Sequence, residues 1–133
     1  MKLLLIITAV LEAAGGLSLL VIPTIAISVL LGVPLDTPGG LVAVRIAGAA
    51  LIALAIACWQ VRNDERESPR GVVEAMLFYN FATAMALVHA GIRLELRGAL
   101  LWPAIVLHVC LGLWCVLNVW SIRRKIVRSE MTS

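Results

Sequence analysis

Four long, mainly apolar runs govern everything this chain can fold into. They lie at about residues 3–22, 39–61, 71–92 and 99–122. Each is long enough to cross a hydrocarbon core, which takes about 20 helical residues. None shows the period-two alternation of a membrane barrel strand, and each is longer than such a strand needs. In lipid, every backbone amide must be paired within its own segment, so the runs are expected to be helices. The expected fold class is all-α: a polytopic membrane protein built as a four-transmembrane-helix bundle. The 133 residues read as one domain, 1–133, and 62% of them are hydrophobic. A water-soluble domain of that size has too little interior to hide so much apolar side chain.

Punctuation between the runs adds detail. Pro23 removes a backbone donor and should end the first helix. The stretch "PTIAISVLLG" then reads as a short extra helix, with proline in its first turn and Gly32 as its C-terminal cap. Asp36 or Thr37 is placed to cap the second span, and Ser68 precedes Pro69 as a cap for the third. The link "RLELRG" is short, so spans three and four should be antiparallel neighbours. "MKLLLIITAVL" has the outline of a secretion signal, but Glu12 within the apolar stretch argues for a retained helix.

Charge sets the expected orientation. Lys2, Arg62, Arg66, Arg70, Arg123, Arg124, Lys125 and Arg128 fall on one side of a four-span topology, and only Arg93 and Arg97 on the other. The positive-inside rule then puts both termini in the cytoplasm. Trp59 and Trp120 fall near that inner interface and Trp102 near the outer one. There is no basic helix face with interleaved aromatics, so nucleic acid is not an expected partner. Cys58, Cys110 and Cys115 all lie within spans, and the spacing of Cys110 and Cys115 turns them to different helix faces. Neither a disulfide nor a metal site is expected, and no cofactor is predicted.

Every span also carries something polar near its middle: Glu12, Arg45, Tyr79 with Asn80, and His108. At 1.5 Å of rise per residue, Arg45 is displaced outward from mid-span by on the order of 7 Å, and the others lie closer to the centre. A charge at such depth costs ~2.5–3.5 kcal/mol or more and normally turns into the bundle to find a partner. Glu12 and Arg45, on consecutive antiparallel spans, are the expected pair, with Asn80 and His108 completing the hydrogen bonding. Thr8, Trp59, Thr83 and Cys115 share faces with these residues and are expected to line a narrow, mainly apolar cavity with a polar end, the usual make-up of a small-molecule site. His89 lies on another face, about 8 Å from the depth of His108, which disfavours a bis-histidine haem. Glu74 follows Arg70 by four residues and suits a helix-surface ion pair. Asn118 is expected to hydrogen-bond between helices.

The pattern "LGVPLD", "GLVAVRIAGAALIALAIACW", "AMLFYN" and "LLWPAIVLHV" resembles a group of small, uncharacterised bacterial four-helix membrane proteins over nearly the whole chain. Arg45, Gly48, Trp59, Tyr79, Asn80, Pro103 and His108 carry the resemblance, which implies a bacterial inner-membrane protein. The place of Glu12 also looks like that of the first-helix glutamate of the small multidrug exporters, which exchange protons for cations. Three readings follow. One is a protein that binds or acts on a small lipophilic molecule such as a quinone or isoprenoid. Another is a proton- or ion-coupled transporter working as a homo-oligomer. The third is an accessory subunit whose polar cluster is structural. No nucleophile–base pair decides whether the protein is an enzyme.

Overall fold

A computed structural model describes residues 1–63 and 69–130, with side chains described as far as Ser121. The described residues form five helices: α1 (Lys2–Val21), α2 (Pro23–Leu31), α3 (Pro38–Val61), α4 (Arg70–Arg93) and α5 (Leu101–Glu130). No strand occurs among them. Four of the helices, α1, α3, α4 and α5 as far as Ser121, are long and apolar enough to cross a bilayer, which makes this a multi-pass membrane protein.

The helix ends fall where local chemistry requires them. Pro23 has no N–H, and Ile22 before it leaves the helical region (φ −127°, ψ 50°), so α1 and α2 are separate helices. Gly32 ends α2 in the left-handed conformation (φ 76°), and its N–H donates to the Ser28 carbonyl at 2.9 Å. Thr37 rather than Asp36 caps α3: its hydroxyl accepts from the Gly40 N–H at 3.2 Å, and Pro38 begins the helix. The expected Ser68 cap lies outside the described residues, and Pro69 occupies the position before α4. α4 ends through Glu95, a non-glycine residue at φ 54°, with the Leu96 N–H returning to the Ala90 carbonyl at 3.1 Å.

The helices pack as two pairs. α1 lies along α3 and α4 along α5, and contact between the pairs is sparser. Glycine lets α1 and α3 approach closely. A Cβ on Gly16 would sit 2.6 Å from the Gly48 carbonyl oxygen, and one on Gly48 would sit 2.7 Å from that of Gly16. The pairs meet around a core of Leu4, Leu5 and Ala9 from α1, Cys58 from α3, Val73 and Met76 from α4, and Leu111 and Cys115 from α5. That core lies toward the end of the bundle where α1 begins and α3 finishes. At the opposite end α2 serves as a clasp. The Leu100 N–H donates to the Val29 carbonyl at 3.1 Å, and Gly98 is so close to Leu30 that no side chain fits there.

Candidate functional site

Glu12 stands at the middle of α1 and is only 4% exposed. Its carboxylate accepts a hydrogen bond from the Tyr79 hydroxyl at 3.1 Å, so α1 and α4 are joined across the seam between the two helix pairs. Tyr79 also presses edge-on to the His108 ring, with centroids 5.7 Å apart and planes at 79°. His108 is held in turn by Asn80, whose Oδ1 lies 2.9 Å from its Nδ1. Asn80 is wholly buried, and its Nδ2 donates to the Met76 carbonyl at 2.8 Å. That bond fixes which end of the amide is which, so Oδ1 must accept and His108 Nδ1 must donate. In a neutral ring the lone pair is then on Nε2, the edge turned away from Asn80.

Glu12, Tyr79, Asn80 and His108, contributed by α1, α4 and α5, therefore form one connected layer near mid-bundle. Helical spacing explains why. Glu12 is one turn beyond the buried Thr8, and Asn80 one turn beyond the buried Met76, on the faces that already pack inward. His108 precedes Leu111 and Cys115, both buried, on the inward face of α5.

The structure does not bring Arg45 into this layer. Its side chain is exposed and has no ion-pair or hydrogen-bond partner among the described residues. The cause is the close approach of Gly16 to Gly48. It makes Leu41, Val44, Gly48, Leu51, Ala55 and Cys58 the packed seam of α3, all buried or half-buried. Arg45 follows Val44 by one residue, a turn of about 100° off that seam. Helical side chains lean toward the helix N-terminus, so the guanidinium is directed back toward the Pro38 end, where a long side chain reaches the interface. The expected Glu12–Arg45 pair is thus replaced by a Glu12–Tyr79 hydrogen bond. Among the described residues the one ion pair is Arg70–Glu74, at 2.8 Å, with the spacing expected of it.

The residues expected to line a cavity divide as well. Thr8 and Cys115 are buried and Thr83 is half-buried. Trp59 instead faces outward, at 48% exposure, and forms one wall of a groove on the outside of the α1–α3 pair. Asn118 bonds within its own helix, to the Trp114 carbonyl at 2.9 Å, rather than between helices. His89 lies on the exposed side of α4, beside an apolar groove bounded by Phe81, Val88 and Val109. All three cysteines are free thiols, and the described residues contain no cluster of histidine, cysteine and carboxylate suited to a metal ion.

Sequence reasoning placed Tyr79 in the layer but gave Glu12 the wrong partner. A usable signal existed: the period of small and apolar residues through Gly48, Ala55 and Cys58 marks the buried face of α3 and leaves Arg45 outside it.

Compared with known protein families, curated proteins and solved structures, the chain matches none of them.

Proposed function

We propose that the Glu12–Tyr79–His108–Asn80 layer is a hydrogen-bonding site for a small lipophilic molecule with a polar head, quinone-like in chemistry. One observation carries this reading: a carboxylate buried at mid-bundle is met by a tyrosine hydroxyl and not by a cation. A carboxyl group that serves only to lock helices together is best answered by a permanent charge or several donors. A single phenol leaves the proton free to move. Beside it, His108 is held in one orientation by Asn80, with Nε2 available to accept a proton or a hydrogen bond. With Tyr79 bonded to Glu12, the hydroxyl form of a quinone-like head would donate to the Glu12 carboxylate and to His108 Nε2, and its carbonyl form would accept from a protonated Glu12 or His108. The site lies on the seam between helix pairs, a usual place for a ligand between helices.

The same observation favours a second reading. With Arg45 turned outward, Glu12 is not neutralised by it, and a carboxyl group of this kind suits a proton-coupled exporter of small cations. The two readings differ in the cargo, neutral in the first and cationic in the second.

The protein sits in a bacterial inner membrane with both termini cytoplasmic. The resemblance to small bacterial membrane proteins supports the first part. The excess of Lys and Arg at Lys2, Arg62, Arg70 and the C-terminal segment over Arg93 and Arg97 supports the second.

The test is a fluorescence titration of the purified protein in detergent with a short-chain benzoquinone and, separately, with a tetraphenylphosphonium cation. The proposal expects saturable quinone binding that weakens at least about tenfold in His108→Leu and Tyr79→Phe. Saturable binding of the cation alone, abolished by Glu12→Gln, would support the exporter instead. Binding of neither would overturn both.

A further inference from the structure

We propose a second, separate site: a groove on the outside of the α1–α3 pair that holds one chain of an anionic phospholipid, with the phosphate at Arg62. The groove has a volume of about 420 Å³. Its floor is built from the small side chains Ala9 and Ala13 of α1, and its walls include Ile52 and Trp59 of α3. Such a trough between two spanning helices faces lipid, and alanine in place of leucine leaves room for a methylene chain to lie against the backbone. At the end where α3 finishes, Gln60 borders it.

The headgroup end is what singles this groove out. The Arg62 guanidinium lies over the Trp59 ring, its central carbon 3.7 Å from the ring centroid. One of its N–H groups also donates to the Trp59 carbonyl. Stacking and hydrogen bonding together hold a delocalised cation flat against the groove wall. A guanidinium has five donors in a planar fork, so the remaining N–H groups can take phosphate oxygens in a bidentate contact. Tryptophan at this level also marks the membrane–water boundary, where a phosphate belongs when its acyl chain runs along the span. A cation at the interface and an apolar trough running inward from it match the two parts of one phospholipid. A neutral zwitterionic lipid brings its own cation to the same place and gains less. The site is independent of the Glu12 layer.

The experiment uses the full chain in vesicles, with Trp102, Trp114 and Trp120 replaced by Phe so that Trp59 alone reports. Quenching by brominated phosphatidylglycerol is compared with quenching by brominated phosphatidylcholine, each as a minor fraction of unbrominated phosphatidylcholine. The expected result is a preference of about fivefold for the anionic lipid at Trp59. Arg62→Gln should remove that preference. Arg70→Gln should leave it intact, because the Arg70 charge is already met by Glu74. Ala13→Phe should fill the trough and reduce quenching by either lipid, with folding verified by the protein's thermal transition. Equal quenching by both lipids in the wild-type background overturns the proposal. So does an anionic preference that survives Arg62→Gln, or one lost equally in Arg70→Gln, since general attraction to basic residues would then explain it.

Discussion

The hydroxyl of Tyr79 donates to the carboxylate of Glu12 at 3.1 Å, across the seam between two helix pairs. Its energetic meaning can be measured. Tyr79→Phe deletes the donor and leaves a buried carboxyl without it, and should destabilise the protein by about 1–3 kcal/mol. Glu12→Leu combined with Tyr79→Phe should cost less than the sum of the two single changes. A double-mutant cycle from unfolding in detergent should give a coupling between about 0.5 and 3 kcal/mol.

Arg45 should behave as a bystander to that pair. It is exposed and turned off the α3 seam. Arg45→Gln and Glu12→Gln should therefore combine additively, within about 0.3–0.5 kcal/mol, in the same unfolding measurement. Coupling of several kcal/mol would mean that the two charges meet after all.

The α1–α3 crossing should be intolerant at one glycine and tolerant at the next. Gly16→Ala drives a methyl into the Gly48 backbone carbonyl, 2.6 Å away, and backbone cannot yield as a flexible side chain can. Gly15→Ala meets nothing nearer than a Leu51 methyl at 3.7 Å. Thermal unfolding should show Gly16→Ala destabilised by about 1–3 kcal/mol. Gly15→Ala should be neutral or slightly stabilised, since alanine favours helix.

Much of this architecture was legible in the sequence because bilayer thickness sets a length that apolar runs must match. The break at Pro23, the cap at Gly32 and the Arg70–Glu74 pair follow from chemistry within a few residues, and each appears where local rules put it. The partner of Glu12 depends on how α3 is rotated about its own axis. That rotation is decided by backbone contact between Gly16 and Gly48, a relation between residues 32 apart. Depth along a helix can be counted from sequence, whereas azimuth requires knowing which face its neighbour takes. Trp59 turned outward for the same reason. Asn118 satisfied itself within its helix, a local bond that the expectation of an interhelical one overlooked.

Thiol accessibility gives a check on the packing of α3 and α5 that needs no ligand. Cys58 and Cys115 are wholly buried, and Cys110 is exposed on the outside of α5. In mild detergent a small maleimide should label one thiol per chain quickly, and Cys110→Ser should abolish that fast phase. The two other thiols should react only on unfolding.

The most direct measurement of the central claim is an infrared difference spectrum recorded as a short-chain benzoquinone is added to the protein. If a bound head changes the hydrogen bonding of a protonated Glu12 carboxyl group while Tyr79 is bonded to it, the wild-type spectrum will show a change in a carboxyl C=O band. That band will be missing in Glu12→Gln and displaced in frequency in Tyr79→Phe. Identical difference spectra for the wild type and Glu12→Gln would contradict the account, because the buried carboxyl group would then take no part in binding.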